Sequence, residues 1–122
     1  MDNKVNVGLI GCGKISDIYL KAAHSFPNIQ IVACADIKQE VATKKAKEHG
    51  IEAMPVESLL KESHIEIILN LTTPKSHTEV NLKALHAGKH VHCEKPLALT
   101  RREGMTVVTL AQKQGLLIGC AP

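Results

Sequence analysis

The sequence predicts an α/β domain built on a doubly wound parallel sheet of about six strands, with helices on both faces. Two observations support this fold class. Short apolar runs alternate with segments of helical periodicity along all 122 residues, and such alternation is typical of parallel strands joined by right-handed crossovers. Aromatic residues make up only 2% of the chain, so the core must be aliphatic, which suits a sheet buried on both faces.

The predicted elements follow one another with short connections and without an internal repeat. Strands are predicted at residues 5–10, 29–35, 52–54, 65–71, 89–93 and 116–119. Helices are predicted at residues 15–26, 38–49, 56–62, 73–87 and 100–114. Residues that commonly begin or end helices stand at these boundaries, and they are Pro27, Asn28, Gly50, Thr73, Pro74, Gly88, Thr100 and Glu103.

Charge and cysteine usage narrow the classes of function. The formal net charge is +3, and no basic stripe is interleaved with stacking aromatics, so we expect no nucleic-acid partner. The four cysteines show no CxxC spacing, which favours free thiols in a reducing compartment, the cytoplasm. No apolar stretch approaches the length of a membrane span, and the first residues lead straight into a strand, so we expect neither a signal peptide nor a membrane partner.

A glycine-rich turn stands between the first predicted strand and the first predicted helix. Gly11 allows the tight turn, Gly13 lets a pyrophosphate approach the backbone, and the amides at the start of the helix point at the anion. Ser16 stands where the dinucleotide-binding fingerprint has its third glycine. Alone, the pattern also fits a plain strand-to-helix turn, but its place in the first βα unit favours a Rossmann-type dinucleotide site.

Asp36 supports that interpretation independently. It stands 25 positions after Gly11, at the end of the second predicted strand. An acidic side chain there can accept hydrogen bonds from both hydroxyls of the adenosine ribose, and its charge would repel a 2′-phosphate. We therefore expect NAD rather than NADP, a preference that Lys38 would soften, while an ordinary helix N-cap is the alternative role for Asp36.

The fifth predicted strand ends in Glu94-Lys95-Pro96. In open parallel sheets the carboxyl ends of the strands form the ligand crevice. A Glu–Lys pair at that position is well placed to meet ribose hydroxyls and a reacting carbinol. Pro96 fixes the turn, and the sequence leaves open whether its peptide bond is cis.

With these motifs the sequence resembles the Gfo/Idh/MocA family, the glucose-fructose oxidoreductase and inositol dehydrogenase-like proteins. The resemblance covers the whole chain, and the order of the Thr-Pro, His and Glu-Lys-Pro elements is quite specific. The residues that carry it are Gly11, Cys12, Gly13, Ile15, Asp36, Thr72, Thr73, Pro74, His77, the run 88–91 and the run 94–98.

The resemblance implies a function and separate roles for two domains. It implies hydride transfer between a nicotinamide cofactor and a hydroxyl or carbonyl group of a sugar, polyol or related compound. Family chains are much longer, with a C-terminal substrate domain that supplies the proton-transferring histidine. We therefore expect residues 1–122 to form the dinucleotide-binding domain alone and to be inactive by themselves.

The resemblance also implies roles for individual residues. The lysine matching Lys95 lies at the active site near the nicotinamide ribose and the substrate, which makes Lys95 the catalytic candidate. The glutamate matching Glu94 helps to hold that ribose, and the segment matching residues 71–74 lies against the cofactor. The expected cofactor-binding residues are Gly11, Gly13, Lys14, Ile15, Asp36, Ile37, Leu71, Thr72, Thr73, Pro74, His77, Glu94, Lys95 and Pro96.

Several interpretations stay open. His77 fits a capping or solvated role as well as a contact with the cofactor. His90 and His92 share one face of a strand, but Cys93 points the other way and no fourth ligand is near, so we expect no metal site. A non-catalytic dinucleotide sensor is the alternative function, although the presence of Lys95 favours an oxidoreductase. The substrate and any homo-oligomer stay open.

Two further segments carry ordinary structural expectations. One charged run is expected to form a solvated helix face, and it comprises Lys44, Lys45, Lys47 and Glu48. Three residues at helical spacing are expected in the core, and they are Met105, Val108 and Ala111.

Overall fold

A six-stranded parallel sheet forms the centre of the computed structural model, which describes residues 4–122. Its strands are β1 (Val5–Ile10), β2 (Ile29–Ala35), β3 (Glu52–Ala53), β4 (Ile67–Asn70), β5 (His90–Cys93) and β6 (Ile118–Cys120). They lie in the order β3-β2-β1-β4-β5-β6, and every neighbouring pair is parallel. The predicted sheet is confirmed, and the predicted strand boundaries differ from the observed ones by at most two residues.

Helices connect successive strands and cover both faces of the sheet. They are α1 (Lys14–Ala23), α2 (Gln39–His49), α3 (Val56–Lys61), α4 (His77–His86) and α5 (Arg101–Gln114). The predicted stop after α2 is confirmed, because Gly50 takes a left-handed conformation with φ of 67°.

The first helix is shorter than its apolar spacing predicts. After Ala23 the chain makes a tighter turn, in which the amides of His24, Ser25 and Phe26 bond to carbonyls three residues back. Pro27 follows, and a residue that precedes proline is disfavoured in the α conformation. Phe26 consequently lies outside the helix, with 54% of its surface exposed.

At two other helix starts the predicted capping residues are present, but their geometry differs from the one predicted. Pro74 opens a single 3-10 turn, closed by a 2.9 Å bond from the Ser76 amide to the Thr73 carbonyl, and α4 begins only at His77. At α5 the Thr100 hydroxyl accepts the Glu103 amide at 3.1 Å, as a capping box requires. The Glu103 carboxylate, however, accepts the amide of Leu99 at 3.3 Å.

Two aliphatic cores flank the sheet. Helices α1 and α2 cover one face, where Leu9 and Cys34 are fully buried. Helices α3, α4 and α5 cover the other, where Ile68, Leu85 and Val107 are fully buried. The prediction of an aliphatic core is confirmed on both faces.

Two smaller expectations are wrong. Met105 is 57% exposed, because it points away from the sheet on the outer side of α5, although Ala111 on the same helix is buried as expected. Lys45 is not part of a solvated face, since only 12% of its side chain is exposed and its ammonium group bonds to Asp17 of α1 at 2.7 Å.

The topology places a crevice at the centre of the sheet. The order of the strands reverses at β1, because β2 and β3 are added on one side of it and β4, β5 and β6 on the other. Strand β1 therefore pairs with both β2 and β4. The segments that follow β1 and β4 therefore diverge to opposite faces, and a ligand crevice forms at such a switch point. None of the helices between residues 4 and 122 combines the length and hydropathy of a membrane span.

Candidate functional site

A cleft of about 510 Å³ opens at the carboxyl ends of β1, β2 and β4. One wall contains Gly11 and Gly13 of the glycine turn together with Asp36 and Ile37 after β2. Leu71, Thr72 and Thr73 after β4 line the next part. The remaining wall comes from α2, α3 and α4, with aliphatic residues flanked by charged ones, and it includes Val41, Val56, Glu57, Glu79, Val80 and Lys83.

Gly11 packs the glycine turn against the segment that follows β4. Its φ is +103°, and a side chain there would place a Cβ 2.5 Å from the Leu71 carbonyl carbon and 2.7 Å from the Thr72 nitrogen. Only glycine combines this conformation with such a close approach of two backbones. The two loops that border the cleft therefore touch through their main chains.

Gly13 instead leaves space at the start of α1. It is the residue before the helix, with extended backbone, and a Cβ built on it meets nothing within 4 Å. Ser16 closes the turn from inside, fully buried, with its hydroxyl donating to the Gly13 carbonyl at 2.5 Å. A ligand can thus approach the backbone at Gly13, and Ser16 takes the packing position of the third glycine.

Asp36 is fixed by the backbone on both sides. Its Oδ2 accepts the amide of Cys12 at 2.8 Å, and its Oδ1 accepts the amide of Lys38 at 2.9 Å. The residue that caps α2 is Lys38, so Asp36 is not the N-cap, although it does close the turn before that helix. Each carboxylate oxygen can accept a further bond, and Asp36 lines the cleft.

A buried polar network supports the wall after β4. Asn70 is fully buried, donates to the Asn81 side-chain oxygen at 2.8 Å and accepts the Thr72 hydroxyl at 2.7 Å. The His77 ring nitrogens lie 2.7 Å from the Thr72 carbonyl oxygen and 2.5 Å from the Pro96 carbonyl oxygen. His77 is 1% exposed, so the solvated alternative is wrong, and the ring joins the segment after β4 to the segment after β5.

Sequence reasoning missed Asn70 and Asn81. A lone asparagine inside the apolar run 65–71 was the available signal, because a polar side chain in a buried strand needs partners. The partner of Asn70 is Asn81 of α4. The partner of Asn81 is in turn the carbonyl of Leu97 after β5, which accepts a hydrogen bond at 3.3 Å. Nothing local in the sequence connects these positions.

The Glu-Lys-Pro turn lies beside the cleft rather than in its wall. Glu94 is half-buried, and its Oε2 accepts a hydrogen bond from the Tyr19 hydroxyl. Its Oε1 accepts the amide of Lys95 at 3.3 Å. Lys95 and Pro96 are exposed, and the peptide bond between them is cis. Burial, with a smaller contribution from Glu94, raises the pKa of Tyr19 to about 12. Tyr19 is a third residue that sequence reasoning missed.

The remaining expected cofactor residues surround the two loops. Lys14 is the exposed first residue of α1, and Ile15 packs partly into the core beneath that helix. Pro74 is exposed at the start of the 3-10 turn. Neither these three residues nor His77 and the Glu-Lys-Pro turn belong to the wall of the cleft.

Within residues 4–122, one cluster of potential metal ligands lies between α1 and α2, outside the wall of the cleft. Asp17, Glu48 and His49 place ligand atoms within 4.8 Å of one another. The Lys45 ammonium group already lies among them, 2.7 Å from Asp17 and 3.7 Å from Glu48. Hydrogen bonds from Lys45 and His49 hold the pKa of Asp17 below its usual value. The cluster is an ion-pair network that ties α2 to α1.

Comparison with known proteins identifies the group to which this architecture belongs. Residues 5–121 match the Gfo/Idh/MocA oxidoreductase family, NAD-binding Rossmann fold. The chain belongs to this family. The expected resemblance is thereby confirmed, and a Gfo/Idh/MocA domain of this kind is an NAD(P)-binding oxidoreductase domain.

Curated relatives of the domain are longer enzymes. The chain is 32% identical over 114 residues to 1,5-anhydro-D-fructose reductase of Ensifer adhaerens, covering 92% of this chain and 34% of the relative. It is 30% identical over 115 residues to inositol 2-dehydrogenase of Salmonella typhimurium, covering 91% of this chain and 34% of the relative. The chain thus spans about a third of the length of these relatives.

Among solved structures, the domain resembles a 3-ketoreductase from Actinomadura kijaniata in complex with NADP and TDP-benzene. The TM-score is 0.91 at 29% identity, with 97% of this chain and 37% of that chain covered. A putative myo-inositol dehydrogenase from Sinorhizobium meliloti shares the fold with a TM-score of 0.90. The chain therefore shares the Rossmann fold of these structures.

Proposed function

We propose that this chain binds NAD across the cleft as the cofactor domain of an oxidoreductase acting on a hydroxyl or carbonyl group of a sugar, polyol or related compound. The observation that carries the proposal is the meeting of Gly11, Gly13 and Asp36 in one cleft at the switch point of the sheet. The names of the relatives, inositol 2-dehydrogenase and 1,5-anhydro-D-fructose reductase, support the substrate class.

The glycine turn would hold the pyrophosphate. The backbone at Gly13 is open to a ligand, and the first amides of α1 have no carbonyl partner within the helix. These amides and the helix dipole attract a negatively charged group. Lys14, exposed at the same helix start, adds a positive charge.

Asp36 would select NAD over NADP. Its carboxylate is fixed by the amides of Cys12 and Lys38, so it cannot turn away from a ligand without losing two hydrogen bonds. Two ribose hydroxyls would donate to it, whereas a 2′-phosphate would meet its negative charge. The exposed side chain of Lys38, which also lines the cleft, would reduce this preference.

The nicotinamide end would extend towards the Glu-Lys-Pro turn. Glu94 is held in place and has lone pairs free for ribose hydroxyls, and the Lys95 side chain is exposed beside it. The bound cofactor would accept or donate the hydride, and Lys95 would assist the proton at the substrate oxygen. We further propose that the substrate pocket and the main proton acceptor come from outside residues 1–122.

The buried cysteines agree with a reducing compartment, and we propose the cytoplasm. Cys12, Cys34 and Cys93 lie in the cores, and burial raises the pKa of the Cys93 thiol to about 11. Thiols of this kind serve as small apolar side chains.

Calorimetric titration with NADH tests the proposal directly. Gly13→Val should lower the affinity for NADH by at least about tenfold, because its side chain would fill the space over the first amides of α1. Gly104→Val on α5 is the matched control, since a Cβ there contacts only Ala98, at 3.9 Å. Equal NADH affinity in the Gly13 variant and the wild type would contradict the assignment of the glycine turn.

A further inference from the structure

Tyr19 connects the helix that follows the glycine turn to the turn after β5. In the proposed function the first would hold the pyrophosphate and the second would hold the ribose next to the nicotinamide. Tyr19 lies on α1, the helix that begins at the glycine turn, and its hydroxyl donates to Oε2 of Glu94 after β5. The two residues are 75 positions apart in the sequence. The tyrosine ring also packs near the His92 ring, with 6.2 Å between their centroids.

The hydrogen bonds of Glu94 explain why this contact matters. A carboxylate on a flexible side chain accepts bonds in several orientations, so donors are needed to hold it in one. Here the Lys95 amide bonds to Oε1, and the Tyr19 hydroxyl bonds to Oε2. Since the pKa of Tyr19 is raised to about 12, the hydroxyl remains a donor at neutral pH.

We propose that Tyr19 is a positioning residue, whose hydroxyl fixes the Glu94 carboxylate so that its free lone pairs face the ribose next to the nicotinamide. The proposal rests on the proposed function, because it assumes that Glu94 meets that ribose. Tyr19 itself does not line the cleft and need not touch the cofactor.

Without the hydroxyl, the Glu94 side chain would have to be ordered when the cofactor binds, and this ordering costs free energy. The loss should resemble that of one ordinary hydrogen bond, about 2- to 10-fold in affinity. It should affect only ligands that reach Glu94. NADH carries the second ribose, whereas ADP ends at the pyrophosphate.

The experiment compares the affinities of NADH and ADP for the wild type and for Tyr19→Phe, measured by calorimetry. Phenylalanine retains the ring that packs near His92 and removes only the hydroxyl. We expect NADH to bind about 2- to 10-fold more weakly and ADP to bind equally well. Thr106→Val is the control, because it removes a hydroxyl that bonds to Arg102 on the surface of α5, and it should alter neither affinity.

A double-mutant cycle with Glu94→Ala, which removes the acceptor of the Tyr19 hydroxyl, completes the test. If Tyr19 acts through Glu94, Tyr19→Phe should have a smaller effect on NADH affinity in the Glu94→Ala background. An unchanged NADH affinity in Tyr19→Phe, or an equal loss for NADH and ADP, would overturn the positioning role. The proposed function fails separately, if the wild type binds neither ligand.

Discussion

At the scale of single residues, the proposed preference for NAD rests on the charge of Asp36 and on the two amides that hold its carboxylate. The amides of Cys12 and Lys38 both donate to this carboxylate, so it links the glycine turn to the start of α2. A charged acceptor makes stronger hydrogen bonds than a neutral one, and here the two amides also fix its orientation. The proposed preference for NAD therefore depends on one side chain.

Replacing Asp36 should change which cofactor binds. Asp36→Ala should weaken NADH binding on the order of 10- to 100-fold, because ribose hydroxyls lose a charged acceptor. Binding of NADPH should be spared or improved, since the repulsion of the 2′-phosphate is removed. Calorimetric titration with both cofactors measures the ratio, with exposed Glu40→Ala on α2 as the control. A wild type that prefers NADPH would show that the argument from charge is wrong.

At the scale of elements, the Lys45 network joins the helices that cover one face of the sheet. Lys45 and His49 of α2 both bond to the Asp17 carboxylate of α1, at 2.7 and 3.1 Å. Hydrogen bonding to Lys45 and His49 lowers the pKa of Asp17, and hydrogen bonding to Asp17 raises the pKa of Lys45. Helix α1 begins at the proposed pyrophosphate site and carries Tyr19, so this network also helps to hold those residues in place.

The pKa shifts predict how the stability depends on pH. A carboxylate with a lowered pKa stabilises the fold above its unfolded value, here 3.8, and this contribution is lost as the pH falls through the lower folded value. Lys45→Met should therefore lower the urea midpoint at pH 7, and the difference from the wild type should shrink in acid below about 3.8.

The matched control for this prediction is Lys47→Met, on the same helix but exposed. Its urea midpoint at pH 7 should change several times less than that of Lys45→Met, because an exposed lysine contributes little. Urea unfolding followed by circular dichroism at several pH values provides the comparison. A pH-independent difference between Lys45→Met and the wild type would show that packing, not charge, dominates.

The elements themselves were predictable because their signals are local. The apolar run at 5–10, the glycine turn after it and the stop at Gly50 each follow from neighbouring residues, and the structure confirms them. The buried side of α5 was less predictable. A helical spacing of apolar residues does not determine which side of the helix faces the sheet, and Met105 points outward.

The candidate site was predictable only in part. Motif and position placed Gly11, Gly13 and Asp36 at one edge of the sheet, and all three line the cleft. The contacts of Tyr19 with Glu94 and of Asn81 with Asn70 join different elements. Such contacts depend on the register and packing of the folded sheet, which a single sequence does not encode locally.

At the scale of the whole molecule, β1 holds the two halves of the sheet together. It pairs with β2 along six residues and with β4 along four, so each half is attached to the other through this strand. The two loops that border the cleft follow β1 and β4 and touch at Gly11 and Leu71. The cleft can therefore form only after both halves have docked on β1.

This arrangement predicts the order of folding. Val7→Ala in β1 and Val107→Ala in α5 remove the same atoms from buried sites, 2% and 0% exposed, and each should destabilise by about 1–3 kcal/mol. The β1 change should mainly slow folding, because both halves of the sheet pair with β1. The α5 change should mainly speed unfolding, since we expect α5 to pack on a sheet that has already formed. Stopped-flow kinetics in urea distinguishes them, and similar φ-values at both sites would contradict this order.

The contact between Tyr19 and Glu94 also affects the intrinsic fluorescence of the molecule. The sequence contains one tyrosine and no tryptophan, so its ultraviolet emission comes almost entirely from the side chain that joins α1 to the turn after β5. A phenol that donates to a carboxylate emits weakly, since the excited hydroxyl readily gives up its proton. The folded domain should consequently fluoresce weakly. Its emission intensity should report the distance between α1 and the turn after β5 without any added label.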